Sequence, residues 1–406
     1  MPTACCAFSA LRGAASHAEA TVVADCAPAG PRIALVAGEA SGDLLAGLLL
    51  DGLRGRWPGL QSAGIGGVHM QQRAFDAWWP SDKLAVRGYA EVLLHYREIA
   101  AIRRQLRVRL LNERPQLFVG VDAPDFNLDL ERALKESGIR TVHFVCPSIW
   151  AWRPERVHRL RASADHVLCI FPFEPALLHG HGIAATYVGH PLAAVIPQQP
   201  DRAAARAALG LEGSGPLVAL LPGSRASEIT AMAGRFLAAA AQVARARPAT
   251  RFVLPALPAH RPRIDALVRS SAVADRVRVL QGQSHAALAA CDTALVASGT
   301  ATLETALFKR PMVIAYHMHW LSYRIMRRKQ LQPWVGLPNI LCREFVVPEL
   351  LQDEATPEAL AGAVLAWFDA PERMRAAEQR FVALHDELRR DTAALATDAI
   401  EKVLAG

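Results

Sequence analysis

The amino-acid sequence predicts an α/β protein of two doubly wound, Rossmann-like domains, each a parallel sheet with helices on both faces. Three observations carry this. From Pro31 onward, short continuous apolar runs alternate with helix-length segments, the pattern of strands buried on both faces. Several of those runs end in turns rich in glycine and small residues. The alternation breaks once, over 193–216, and then restarts. A chain of 406 residues has room for two or three domains.

Residues 1–30 are Ala-rich and lack periodicity. They also lack the basic start and continuous apolar stretch of a secretory signal, so they read as a disordered extension. IALVA (33–37) predicts a strand, GEASGD a turn and LLAGLLLDGLRGR a helix. LFVGVD (117–122) is a strand, followed by APDFN and the helix LDLERALKESG, which Gly138 closes. TVHFV (141–145), HVLCIF (166–171) and ATYVGH (185–190) complete a domain over 31–195. A linker over 196–215 contains IPQQPD, an Ala/Arg helix and LEGSGP. LVALLPG (217–223), RFVLPAL (251–257), VRVLQG (277–282), TALVAS (293–298) and PMVIAYH (311–317) are the strands of a second domain over 216–365. The charged segment 366–406 predicts helices that pack on the N-terminal domain or on a partner subunit. The cleft between the domains is the expected site.

Composition narrows the chemistry. The net charge is +7, and only five of the 45 basic residues are lysine. Arginine forks onto phosphate oxygens, so the excess points to an anionic partner. No aromatic-and-basic nucleic-acid motif is present, which leaves a phosphorylated substrate or an acidic membrane surface and predicts no nucleic-acid partner. No apolar run reaches the roughly 18–20 residues of a membrane-spanning helix. The seven cysteines (5, 6, 26, 146, 169, 291 and 342) form no C-x-x-C pair, which suits a reducing compartment better than a disulfide framework.

Ligands of open parallel sheets bind beyond the carboxyl ends of the strands. Four segments there carry candidate residues. Gly38-Glu39-Ala40-Ser41-Gly42-Asp43 runs from strand into helix, where free N–H groups and the helix dipole can hold an anion, or where the chain simply turns tightly. It is not G-x-G-x-x-G, so a dinucleotide site is excluded. In GVDAPDFN (120–127), Asp122 ends a strand and can accept a proton from a hydroxyl, while Asp125 suits a helix cap. In LPGSRASE (221–228), Arg225 sits at a helix start that ordinarily prefers an acid. A diphosphate between Arg225 and the turn explains it; so does a surface pair with Glu228. In ASGTATLE (297–304), small residues allow close approach, and Glu304 lies on the same helix face as Thr300, where it can grip ribose hydroxyls.

Two further features stand out. Trp150 and Trp152 lie just beyond a strand end and suit a sugar, an acyl pocket or the core. From Tyr89 to Leu111 an apolar stripe is interleaved with Arg97, Arg103, Arg104, Arg107 and Arg109, and Arg87 precedes it. Such a stripe fits a membrane interface or ordinary burial. His181, His190 and His317 lack metal-ligand spacing. No Asp-x-Asp occupies a nucleotide loop, so neither a metal nor any other cofactor is expected.

AGEASGD, GVDAPDFN, CPSIWAWR, LLPGSRxxE and ASGTATLE, in this order, resemble the lipid-A-disaccharide synthase family, inverting glycosyltransferases of the GT-B fold. YVGHPL (187–192) and LPNIL (337–341) also look like family segments, and the resemblance runs from about Arg32 to the C-terminus. Arg87 stands where the family is expected to favour methionine. The resemblance implies a reaction between UDP-2,3-diacylglucosamine and 2,3-diacylglucosamine 1-phosphate (lipid X). The products are a β-1,6-linked disaccharide 1-phosphate and UDP. It implies Asp122 as catalytic base. It implies a UDP site of Gly223, Ser224, Arg225, Ser298, Gly299, Thr300, Glu304 and Asn339. Gly38, Glu39, Ser41, Gly42, Asp43, Trp150 and Trp152 would serve the acceptor or its phosphate. The expected setting is the cytoplasmic face of an inner membrane, on an anionic surface, with a homodimer open. The competing readings are another GT-B UDP-sugar enzyme, such as an N-acetylglucosaminyl transferase or an epimerase, and an inactive UDP-sugar-binding scaffold.

Overall fold

In a computed structural model the described residues are 30–38, 40–84, 89–211 and 215–406. The expected extension over 1–29, Glu39, Arg87 and part of LEGSGP lie outside them.

The first sheet contains β1 (Arg32–Ala37), β2 (Gln61–Gly66), β3 (Asp76–Pro80), β4 (Leu117–Val121), β5 (Arg140–Phe144), β6 (His166–Cys169) and β7 (Ala185–Tyr187). Their order is β3-β2-β1-β4-β5-β6-β7, all parallel. The second contains β8 (Leu217–Leu221), β9 (Arg251–Ala256), β10 (Val277–Gln281), β11 (Thr293–Ala297), β12 (Met312–Tyr316) and β13 (Glu349–Leu351). Their order is β10-β9-β8-β11-β12-β13, again all parallel. In each sheet the chain starts in the middle, winds outward one way, then returns to wind the other. The direction reverses between β1 and β4, and between β8 and β11. At such a switch point neighbouring loops diverge and leave a crevice.

The apolar runs are strands because helices cover both faces: β4, β8 and β11 are buried at every position. Three strands, β2, β3 and β13, carry no such run. QSAGIG is too rich in small residues, while DAWWP and ELL are short and only partly buried. β3 and β13 are edge strands, where a proline such as Pro80 costs no ladder bond.

The helix Tyr89–Glu113 follows β3. In its described side chains, Ile102, Leu106 and Leu110 are buried against Phe126, Leu130 and Leu134. Arg103 pairs with Asp129 at 3.2 Å and Arg109 with Glu113 at 2.8 Å. This part of the stripe is therefore core on one face and ion-paired on the other.

The chain crosses between the two halves twice. After β7 it leaves through 190–201, and it returns after the helix Pro371–Leu388. The crossings are tied together. The His190 N–H donates to the Leu388 carbonyl at 2.9 Å, and the Tyr187 hydroxyl to that of Glu387 at 2.7 Å. The buried His385 accepts from Lys309 Nζ at its Nδ1, at 2.5 Å, and donates from Nε2 to the Ala193 carbonyl at 2.7 Å. Burial lowers the Lys309 ammonium to about 8. The last helix, Thr392–Ala405, lies on the helix Ala40–Arg56. Arg56 binds Asp398 at 2.6 Å and also Glu401.

Candidate active site

Each switch point collects two of the four segments. In the first sheet Ala37 of β1 and Val121 of β4 are register partners, so the turns 38–43 and 122–125 leave side by side. Asp122 and Ala123 both adopt left-handed backbone, with φ of +52° and +43°. Neither is glycine, so each costs about 1–3 kcal/mol that the surroundings must supply. Two bonds hold the turn. The Asp122 N–H donates to the Phe144 carbonyl at 2.8 Å, and Asn127 Nδ2 donates to the Asp122 carbonyl at 2.8 Å. The Asp122 side chain is half-buried and has no ion-pair partner among the described residues. Asp125, by contrast, is exposed and bound to Arg156 at 2.8 Å.

The neighbouring loop differs from expectation at one residue. Asp43 is buried, and its carboxylate accepts N–H groups from Gly67 at 2.7 Å, His69 at 2.9 Å and Met70 at 3.2 Å. It holds the start of the short helix Val68–Gln71 and is not free to meet a substrate. Ser41 is exposed, while Gly38 and Gly42 are buried where the loop runs past Ala123 and β4.

The two tryptophans also part. Trp150 turns inward, packs edge-on against Phe171 and Phe173, and donates Nε1–H to Glu174 at 3.0 Å. Glu174 is fully buried, and its other oxygen accepts the Phe171 N–H at 3.0 Å. Desolvation pushes its carboxyl up to about 8. Trp152 stays 36% exposed, with the Arg153 guanidinium 4.0 Å above its ring. Of the pair, Trp152 is the more exposed.

At the second switch point a cleft of about 360 Å³ opens beyond β8 and β11. Gly223, Ser224, Arg225, Ser298, Gly299, Thr300 and Glu304 all line it. Gly223 has φ +113°, and a Cβ there would lie 2.5 Å from that of Glu228, so no larger residue fits. The helix Thr300–Leu307 starts in this wall, and helix starts leave amides without intrahelical acceptors. Glu228, unassigned by sequence reasoning beyond a pairing with Arg225, does more than pair. Its carboxylate accepts the N–H groups of Ser224 at 3.0 Å and Arg225 at 3.2 Å, and the Arg225 guanidinium at 3.0 Å. The two amides just before the helix Ala226–Ala246 are thus already engaged, while the Arg225 side chain remains 62% exposed. Glu304 has His285 Nε2 at 3.6 Å. His285 follows the turn after β10, a fifth strand-to-helix turn whose sequence, GQSH, resembles the others.

Asn339 does not reach this cleft. It is fully buried, donates from Nδ2 to the Val347 carbonyl at 2.9 Å and to Glu349 at 2.8 Å, and accepts the Val347 N–H at 3.1 Å. Both its amide protons and one lone pair of Oδ1 clasp the approach to β13, so the structure places it in a buried clasp and not, as expected, in the wall of this cleft.

Comparisons with known proteins bear on the family and the fold. Residues 33–400 match the family model described as Lipid-A-disaccharide synthetase. The lipid-A-disaccharide synthase of Albidiferax ferrireducens is 65% identical over 92% of this chain and 98% of its own. That of Verminephrobacter eiseniae is 61% identical over 92% and 97%, and that of Thiobacillus denitrificans 53% over 91% and 99%. Among solved structures, the UDP-GlcNAc 2-epimerase of Neisseria meningitidis bound to UDP-GlcNAc superposes with a TM-score of 0.61 at 11% identity, over 92% of this chain and 99% of that one. The glycotransferase of kitacinnamycin superposes with 0.60 at 16%, over 93% and 100%. Those likenesses establish the two-domain GT-B fold, and the sequence matches establish more: this chain belongs to the lipid-A-disaccharide synthase family.

Proposed function

We propose that the chain joins UDP-2,3-diacylglucosamine to 2,3-diacylglucosamine 1-phosphate, with Asp122 as base and the second cleft as the UDP site. The observation that carries this is the pairing of opposite chemistries at equivalent places. One switch point carries, on a strained turn, a carboxylate with no ion-pair partner among the described residues. The other offers an exposed arginine and a helix start.

In this mechanism Asp122 takes the proton of the acceptor 6-hydroxyl as its oxygen attacks the anomeric carbon. The attack comes from the face opposite UDP, so one displacement inverts that centre. Charge develops on the departing diphosphate. Arg225 and the amides at Thr300 and Ala301 stabilise it. Arg225 exchanges its contact with Glu228 for one with phosphate, which its exposure permits. Glu304 accepts from the ribose hydroxyls.

The substrates are acylated, and the protein meets them at an anionic membrane surface on the cytoplasmic side. No described helix is long and apolar enough to cross a membrane. A surface contact is supported by the helix Trp320–Lys329. It exposes Trp320 and Ile325 beside Arg324, Arg327, Arg328 and Lys329, none of them in an ion pair among the described residues. Such a mixture suits an interfacial helix.

The test is mass spectrometry of products from the purified protein in detergent and EDTA, with each substrate alone and both together. The expected result is a tetraacyl disaccharide 1-phosphate and UDP only with both. UDP release without the disaccharide overturns the acceptor assignment, and loss of activity with EDTA overturns the metal-free mechanism. Flotation with anionic vesicles at low salt tests the membrane claim, and failure to float removes it.

A further inference from the structure

We propose that Asn127, Glu131 and His143 form a buried positioning column that sets the turn carrying Asp122. The proposal rests on the reading of Asp122 as the base.

The column starts in the sheet. Gly120 of β4 and His143 of β5 are register partners, two residues before the turn. The helix Pro124–Glu136 crosses above them. Asn127 and Glu131, four apart, share the face turned to the sheet. Glu131 Oε1 lies 2.7 Å from His143 Nδ1. A Cβ on Gly120 would fall 2.1 Å from Glu131 Oε1 and 2.9 Å from Asn127 Cβ. The two side chains therefore fill the volume that a residue at 120 would need. From there Asn127 Nδ2 reaches the carbonyl of Asp122 at 2.8 Å and that of Val121 at 3.4 Å.

Ordinary packing does not explain three polar side chains here. Asn127, Glu131 and His143 are all fully buried. Among the described residues, each keeps one polar atom without a partner: Asn127 Oδ1, Glu131 Oε2 and His143 Nε2. The rest of the helix's buried face is apolar, with Phe126, Leu128, Leu130 and Leu134. Leucine at 131 and 143 would cost less, because a buried polar pair gains little over a well-packed apolar one. What the polar column provides is direction. Hydrogen bonds fix the angle and height of the helix start, and so the backbone torsions of Asp122 and Ala123. Asn127, Glu131 and His143 act through Asp122 and do not touch substrate.

The experiment compares Asn127→Leu, the double variant Glu131→Leu/His143→Leu and Asp122→Ala in the full chain. We measure kcat and acceptor KM across pH, UDP affinity and melting temperature. Asn127→Leu and the double variant should lower kcat about 10–10²-fold, the cost of misplacing a reacting group. UDP affinity and acceptor KM should hold, and the acidic limb of the kcat profile should move. The double variant should melt at or above the parent temperature. If it keeps the parent's kcat and acidic limb, the column is ordinary packing and the inference fails. If Asp122→Ala alone abolishes turnover while both column variants are normal, only this inference falls. If Asp122→Ala turns over normally, the reading of Asp122 falls and takes the column with it. Should the double variant misfold, Asn127→Leu decides, since it leaves the Glu131–His143 pair in place.

Discussion

The two sheets share one winding and place their switch points at equivalent positions, yet the residues with left-handed backbone differ. At the first switch point they are Asp122 and Ala123, which carry side chains. At the second they are Gly223 and Gly299, which carry none. Positive φ on a residue with a side chain stores strain and points a functional group. Positive φ on glycine stores little and leaves room for a ligand against the backbone. On the proposed reading, one topology thus yields a site that acts and a site that holds.

The largest test of that contrast is Asp122→Ala. Turnover should fall about 10²–10⁴-fold, as for a lost general base, with UDP binding nearly unchanged by calorimetry. Weakened UDP binding in this variant would merge the two sites' roles. Arg225→Ala comes next. It should weaken UDP by about 1.5–3 kcal/mol, the worth of a hydrogen bond to a charged group. Equal UDP affinity in both proteins would leave the second cleft without its cation.

Asn339→Ala sharpens the boundary of the holding site. It takes one donor from Glu349, which keeps the Val335 and Gly336 N–H groups, and strips the Val347 main chain of its Asn339 contacts, which should cost about 1–3 kcal/mol of stability. UDP affinity should not change. A normal melting temperature with weaker UDP binding would return Asn339 to the ligand.

A pH-dependent test concerns Glu174 beneath Trp150. Its carboxyl titrates near 8 when folded, above the ordinary value of 4.5. The native state therefore keeps a proton that the unfolded chain has lost. This contribution is complete below pH 4.5 and fades as pH rises toward 8. Across that window the melting temperature of the parent should fall more than that of Glu174→Gln. Parallel curves would mean that Glu174 stays ionised.

The strands that form the two switch points are readable in the sequence because burial on both faces makes them continuously apolar. β2, β3 and β13 are not, because small residues and partial exposure erase the period. The site shows the same division. Asp122, Arg225 and Glu304 are legible as candidates, since they sit in or just after strand-to-helix turns. The tasks of Asp43, Trp150 and Asn339 are not legible, because partners far along the chain set them. Asp43 captures amides at 67–70, Trp150 finds Glu174, and Asn339 clasps Val347 and Glu349. Motif spacing says nothing about which buried acceptor a polar side chain will meet.

The seat of the last helix on the helix Ala40–Arg56 bears on how the protein is made. A ribosome delivers the N-terminal half first, and domains generally begin to fold in that order. Here that half waits with the groove beside Gly52 uncovered until residues 392–405 arrive, after the whole second half has been synthesised. A message cut short before Arg390 would yield a second half of normal length attached to an unfinished first half. Such a product is a natural substrate for chaperones and proteases.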